Sequence, residues 1–326
     1  MKAPSSIDPL HATDGSMLQT VVERVTRQIS HEVEECLALE EPLEIQVTYG
    51  PYDARQTRSI SVTMRTPGND FDLAAGFLMT EGVIRDANDI EQIAYAGYTF
   101  NEGAQFPQAM DVPMTGSNQN TVRVDLAADV EVNVGSLQRN FYTTSSCGIC
   151  GKASLLALRT VCPPRRANDF TIDAPLLCGL PARLRASQPL FDRTGGLHGA
   201  GLFDSAGNLL ALREDVGRHN AVDKLIGSEF LADRTPLRDC LLLLSGRASF
   251  ELLQKALMGG LPMVAAVGAP SSLAVHVARE FDITLIGFLR EDHFNIYHGG
   301  ERVTGYTSTS MGVDYETENQ RKFLAG

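Results

Sequence analysis

The chain has 326 residues, 43% of them apolar and 21% charged. That composition describes a folded globular protein and excludes disorder, collagen and coiled coil for the whole. The length suggests about two domains, enough to bury a core without disulfide or zinc staples. The formal net charge is −12, all of it in residues 1–146, which hold 9 Lys and Arg against 21 Asp and Glu. Residues 147–326 carry 19 of each sign. No basic face is available for non-specific nucleic-acid binding, and a polyanionic small ligand belongs in the neutral C-terminal half.

The densest apolar run, Leu261 to Pro270, falls far short of the ~18 residues of a membrane span. The polar start MKAPSSIDPLHATDGSMLQ lacks the pattern of a secretory leader and reads as a tail of a cytoplasmic protein. Six cysteines with one close pair suit a reducing compartment.

Ser16 to Ser30 reads as a weak helix, and the acidic His31 to Glu41 as a solvated face. Leu43–Tyr49 and Arg58–Met64 alternate apolar and polar residues around a Gly50-Pro51 turn, which predicts a hairpin. A helix is expected over Phe71–Thr80, with Asp70 as its N-cap and Gly82 past its end. Ile90–Tyr95 and Thr121–Leu126 read as strands separated by a Gly-, Pro- and Asn-rich loop.

Beyond Cys147 the pattern changes. Helices are expected over Ala153–Val161, stopped by Cys162-Pro163-Pro164, and over Ala174–Ala186. A second hairpin joins Gly201–Phe203 to Leu209–Leu212. Strands at 209–213, 240–244, 262–267 and 283–288 then alternate with helices at 220–231, 249–258 and 271–281, and Phe294–Tyr297 reads as an edge strand. The unbroken apolar runs Leu241–Leu244 and Val264–Val267 fit strands covered on both faces, and the alternation predicts a largely parallel α/β core. The expected organisation is a tail (1–30), a β-rich region (31–140), an α/β core (141–305) and a second tail (306–326).

The strongest chemical signal is the run Thr143 to Lys152, TTSSCGICGK. Cys147 and Cys150 stand before a helical stretch, where free N–H groups, the helix dipole and Lys152 favour thiolate over thiol. Three readings stay open on these residues: sulfur or redox transfer, half of a zinc site, or two structural cysteines. Cys36, Cys162, Cys178 and Cys240 form no second close pair, which leaves four-ligand zinc without local partners. No histidine has a glutamate two positions later, and Ser146 rather than a proline precedes Cys147, which counts against zinc nucleobase deamination.

A second constellation, Glu214 to Lys224 (EDVGRHNAVDK), lies where a strand gives way to a helix. His219 and Asp223 are one helical turn apart, so the carboxylate could orient the imidazole; a capping and salt-bridge cluster is the alternative. Three further turns follow the apolar strands: Ser245 to Ser249, Gly268 to Ser272, and Phe288 to His293. Parallel strands put these on one edge, where α/β sheets bind ligands. Helix starts after Ser245 and Gly268 offer N–H groups to phosphate, and Arg218, Arg247 and Arg290 offer guanidinium groups. Neither a Walker A motif nor a dinucleotide-binding glycine fingerprint is present. The Gly-rich Thr194 to Gly201, with His198, is expected to pass close to the thiols.

Taken together, SSCGICGK (Ser145–Lys152), TGGLH (Thr194–His198), EDVGRHNAVDK (Glu214–Lys224), SGRAS (Ser245–Ser249) and LAAGFLMTEGV (Leu73–Val83) resemble the formate dehydrogenase accessory sulfurtransferases, the FdhD family, over about residues 41–305. The resemblance implies a sulfur carrier. It would take persulfide sulfur from a cysteine desulfurase and pass it to the molybdenum or tungsten bis(molybdopterin guanine dinucleotide) cofactor before that cofactor enters formate dehydrogenase. It implies a fold similar to cytidine deaminase: a layered α/β core with a mixed, partly parallel sheet and a smaller β-rich region. Cys147 would carry the persulfide with Cys150 assisting. Cofactor contacts would fall on Phe288, Leu289, Arg290, Glu291, Asp292 and His293. The ligand edge read from the residues adds Ser245, Gly246, Arg247, Arg218 and His219, with Arg247 favoured for the pyrophosphate. The dinucleotide would be a bound substrate rather than a resident group, no metal is expected, and a homodimer is compatible with the sequence. The rival reading is a non-catalytic chaperone for the cofactor or the apo-dehydrogenase.

Overall fold

The computed structural model describes residues 11–13, 15–96, 119–132, 158, 162 and 169–307. Strands β2 (Met17–Thr26) and β3 (Ile29–Ala38) form a long antiparallel hairpin in full register, edged by β1 (His11–Thr13). This corrects the expected helix at 16–30, and the expected tail boundary at residue 30 falls inside β3. The hairpin turns on Arg27 and Gln28, both with positive φ. Most of its side chains are exposed, so cross-strand pairing rather than burial holds it; Arg24 and Glu35 form an ion pair.

Strands β4 (Glu41–Tyr49) and β5 (Gln56–Arg65) make the expected hairpin. With β6 (Ile90–Tyr95) and β7 (Thr121–Leu126) they build a four-stranded sheet in the order β5-β4-β7-β6. Alternation along β4 and β7 turns Leu43, Ile45, Val47, Val122, Val124 and Leu126 to one buried face. Helix α1 (Asp70–Thr80) shares that core. Its N-cap is Asn69, in the left-handed region, and not Asp70. Asp70 is the first helical residue and receives a bidentate Arg65 guanidinium at 3.0 and 2.9 Å.

The core proper is a six-stranded sheet in the order β10-β9-β11-β12-β13-β14. Its strands are β9 (His198–Phe203), β10 (Leu209–Asp215), β11 (Leu241–Leu244), β12 (Met263–Ala266), β13 (Thr284–Gly287) and β14 (Asn295–His298). Only β11, β12 and β13 pair in parallel; the other three pairings are antiparallel. The sheet is mixed and partly parallel, as the family resemblance implied, and not largely parallel as the alternation of strands and helices suggested, because β9 inserts between its hairpin partner β10 and β11. Strand β14 is an edge strand, as expected. A small parallel pair, β8 (Ile172–Asp173) with β15 (Val303–Thr304), lies outside the sheet.

Both faces of this sheet are covered, which explains why its strands are apolar without alternation. Leu242, Leu244, Val264, Ala266 and Leu285 pack with helices α4 (Arg218–Leu231), α5 (Phe250–Met258) and α6 (Ser272–Glu280). Leu241, Leu243, Met263, Ala265 and Ile286 pack with α2 (Ala174–Ala186). A short helix α3 (Pro189–Thr194) follows α2. The first of these clusters continues into the four-stranded sheet, so the β-rich region and the α/β core share one apolar interior.

Helices α1 and α4 meet at two glycines. A Cβ on Gly76 would collide with the carbonyl oxygen of Asp223, and one on Gly227 with that of Asp72. Gly227→Ala would push two backbones apart across a full core. Its cost is expected at or beyond the top of the ~1–3 kcal/mol range for overpacking. A denaturant midpoint unchanged by this substitution would contradict the close crossing.

Candidate functional site

The register of the sheet brings the expected turns together. Asp215 pairs with His198, while Leu244 pairs with both Ala200 and Ala266. The C-terminal ends of β10, β11, β12 and β13 therefore share one edge with the start of β9. Backbone bonds stitch the turns to one another. Ser245 N–H donates to the Gly199 carbonyl at 3.0 Å, and Gly199 N–H donates to Ser245 Oγ at 2.8 Å. Gly268 N–H reaches the Gly246 carbonyl at 2.8 Å, and Phe288 N–H the Gly268 carbonyl at 3.1 Å. The edge is thus a connected rim rather than four separate loops.

Three helices start on this rim. Helix α4 is capped by Gly217 and α5 by Ser249, and neither capping residue accepts a first-turn N–H with a side chain. Ser271 caps α6 and accepts from Ala274 N–H with its own hydroxyl. An anion is therefore better served at α4, because the Ser271 hydroxyl occupies the start of α6 and at the start of α5 the Glu251 carboxylate already accepts its own backbone N–H and the Ser249 hydroxyl. This shifts the expected anion site, which used the helix starts after Ser245 and Gly268.

The polar run 214–224 divides into two sets. Asp215, fully buried, accepts from Thr66 N–H at 3.1 Å, Gly217 N–H at 2.8 Å and Asn220 Nδ2 at 3.0 Å, and pairs with Lys224 at 2.7 Å. Lys224 Nζ also donates to the Thr66 carbonyl at 2.7 Å. Asp223 pairs with Lys255 at 2.9 Å and accepts from Thr80 Oγ1 at 2.8 Å. It does not hold His219, contrary to one expectation; the capping and salt-bridge alternative describes Asp215, Asn220, Asp223 and Lys224. These four tie α4 to β5 and α1.

Arg218 and His219 are left on the rim. The Nε of Arg218 is buried with no partner among the described residues. His219 Nε2 lies 3.4 Å from Ser249 Oγ and 3.9 Å from Glu251 Oε2. Burial, then Arg218 and Lys255, push the His219 pKa down to about 4 against an opposing Glu251. His198 is lowered for the same leading reason, burial, followed by Arg218, with Asp215 opposing and Arg247 adding. Both rings are thereby held neutral beside two guanidinium groups. Arg247 is exposed and makes no ion pair among the described residues.

The depressed His219 pKa has a definite sign. Between about pH 6.5 and pH 4 the unfolded chain binds a proton at this ring and the folded chain does not. The group's contribution to stability is complete above that window and is lost as pH falls through it. His219→Gln should flatten this part of the stability–pH curve, measured as urea midpoints from pH 4 to 7; parallel curves would contradict the burial argument.

The segment 288–293 is more divided than expected. Phe288 has a φ of 52° and is 40% exposed, so a bulky aromatic is held in the left-handed region at the rim. Leu289 turns into the core and is fully buried, which removes its side chain from any ligand contact. Arg290 Nη1 donates to the carbonyls of Val267 and Leu289 at 2.6 and 2.9 Å. That guanidinium braces the turn instead of standing free for an anion. Asp292 pairs with His293 at 2.7 Å, and both are exposed, as is Glu291. Cys147 and Cys150 lie outside the described residues, as do almost all of the loop expected at 101–120 and of the helix expected at 153–161. Among the described residues no group of three or more His, Cys, Asp and Glu side chains is placed to hold a metal.

Sequence reasoning did not single out Thr66 or Gln188. Thr66 acts through its backbone N–H and carbonyl and through its hydroxyl, which accepts from Val216 N–H at 3.2 Å; a lone Thr before a proline carries no signal of that role in the sequence. Gln188 stands alone before a proline that opens α3.

The model of the FdhD/NarQ family matches residues 38–304. A protein of Mycolicibacterium paratuberculosis named sulfur carrier protein FdhD is 49% identical over 82% of this chain and 92% of its own length. One of the same name from Streptomyces coelicolor is 49% identical over 85% of this chain and 92% of its own. The fold is similar to a solved structure from Desulfotalea psychrophila described as a formate dehydrogenase accessory protein. The TM-score is 0.63 at 23% identity, covering 89% of this chain and 100% of that one. A family match across nearly the whole described chain, with relatives at this identity, means that the chain belongs to the FdhD/NarQ family.

Proposed function

We propose that this chain is a cytoplasmic sulfur carrier that serves formate dehydrogenase by sulfurating its guanine dinucleotide cofactor. The observation that carries the reading is the rim itself. The start of α4, Arg218, Arg247 and two neutral histidines converge on one sheet edge, in a family whose relatives are named sulfur carriers.

In this reading Cys147 thiolate attacks the outer sulfur of a desulfurase persulfide. A Cys147 S–S bond forms, and the bond to the desulfurase sulfur breaks. For delivery, Cys150 thiolate attacks Cys147 Sγ. The two cysteines are oxidised to a disulfide and the outer sulfur leaves as sulfide, reduced by the same two electrons. A thiol reductant then restores the pair. The rim holds the cofactor, as substrate, by its pyrophosphate.

Calorimetric titration with GDP tests the rim. Each charge-assisted contact contributes ~1.5–3 kcal/mol, or roughly 10- to 150-fold in affinity. Arg247→Ala should weaken GDP by such a factor without unfolding the chain. No affinity in the wild type, or unchanged affinity in the folded variant, would overturn this placement.

A further inference from the structure

Where the β-rich region meets the core, a cavity of about 300 Å³ lies between β5, the end of α1 and the first turns of α4 and α5. Ile45, Leu73 and Phe77 give it apolar walls. Its charges do not balance. The buried Lys255 ammonium is satisfied by Asp223 at 2.9 Å, Thr80 Oγ1 at 3.1 Å and Glu81 at 3.3 Å, which uses its three donors. Glu251, half exposed, faces only a neutral imidazole, His219 at 3.9 Å, and Arg218 acts on it more weakly still. One cation thus stands against Asp223, Glu81 and Glu251. The cavity refuses an anion and suits a cationic head on an apolar stem.

The cavity opens on a free strand edge. In the order β5-β4-β7-β6, β5 is the end strand, and among the described residues no strand pairs with its other side. Val62, which lines the cavity, is 65% exposed, and Met64 beside it is exposed as well. Val62 pairs with Glu44, whose N–H goes the opposite way, to the Asn120 carbonyl at 2.8 Å. Val62 and Glu44 are therefore a non-hydrogen-bonded pair, and the N–H and C=O of Val62 point out from the edge. Two residues on, Met64 pairs with Pro42, which has no N–H, and the Met64 carbonyl points outward to Asn220 Nδ2 at 2.7 Å. An outward row of backbone groups with exposed apolar side chains is a template for a further strand.

We propose that this edge and cavity dock an extended segment of a partner protein that carries a lysine or arginine between apolar residues. The segment adds to β5 through its backbone, its basic stem lies on Ile45, Leu73 and Phe77, and its charge reaches Glu81 and Glu251. Charge favours the same partner at long range, since residues 1–146 hold the whole net charge of −12. The site is independent of the nucleotide rim.

The test is calorimetric titration of the full chain with the blocked peptide Thr-Val-Lys-Val-Thr and with its norleucine counterpart, which keeps the stem and loses the charge. The lysine peptide should bind at least about 10-fold more tightly than the norleucine peptide, the size of one charge-assisted contact. Glu251→Gln should weaken the lysine peptide by a similar factor and leave the norleucine peptide unchanged. Val62→Pro, which removes an outward N–H and no bond to β4, should weaken both peptides. If that variant does not fold, N-methylation of the peptide backbone on either side of the lysine reads the same contact on the wild type. Binding of neither peptide, as when a second copy of the chain closes the edge, overturns the proposal. So does equal binding of the two, or pentylammonium ion binding as tightly as the lysine peptide, which would make the site one for a free amine.

Discussion

Asp215→Ala is expected to destabilise the chain by about 3–5 kcal/mol, the usual cost of leaving one member of a buried ion pair alone. The side chains of Asp215 and Lys224 are 0% and 2% exposed, and their charges meet at 2.7 Å. Asp215 also satisfies three donors: Thr66 N–H, Gly217 N–H and Asn220 Nδ2. The alanine variant would strand the Lys224 ammonium in the core and orphan those donors together. Replacing both partners, as in Asp215→Leu with Lys224→Met, should cost much less, because no charge then remains buried. Urea unfolding reads both. A loss under about 1 kcal/mol for Asp215→Ala would show that this pair does not join α4 to β5 as described.

If the proposed covalent route holds, Cys147→Ala should reduce maturation of formate dehydrogenase in cells to background, a loss of at least about a hundredfold, because that route has no other nucleophile. In sequence Cys147 lies nearer than Cys150 to Ser145 and Ser146, the residues expected to cap a helix, and a helix start favours thiolate. Cys150→Ala should load sulfur but deliver it poorly, leaving residual activity when an external thiol is supplied. Equal and complete loss in both variants, with no rescue by thiol, would contradict this division of roles.

Much of the fold was legible where burial leaves a periodic trace. Strands Ile90–Tyr95 and Thr121–Leu126 and helix Ala174–Ala186 have the expected bounds, since each carries a clear apolar pattern. The hairpin of β2 and β3 was not legible. Val21, Val25 and Ile29 are exposed, so its alternation carries no inside and outside, and acidic residues obscure the strand propensity. The mixed character of the sheet came from the family resemblance and not from the residue pattern, because strand order is a long-range property and β9 joins β11 by no local signal.

The site was half legible. The turns share an edge as expected, because strand direction alone decides it. The separation of Asp215, Asn220, Asp223 and Lys224 from Arg218 and His219 was harder to read. In retrospect Asn220, Asp223, Lys224 and Gly227 recur at helical spacing, and all four meet β5, α1 or the segment joining them. What hid this was chemistry: charged residues suggest a surface, and here each buried charge has its partner elsewhere in the chain.

The measurement closest to the central claim is intact-mass analysis of the full chain after incubation with a cysteine desulfurase and cysteine. The wild type should gain one sulfur, about 32 Da, removable by a thiol reductant. Arg247→Ala should gain it equally, because loading and cofactor binding use separate groups, and Cys147→Ala should gain none. A wild type that takes up no sulfur, or a Cys147→Ala chain that takes it up as well, would contradict a carrier acting through this cysteine.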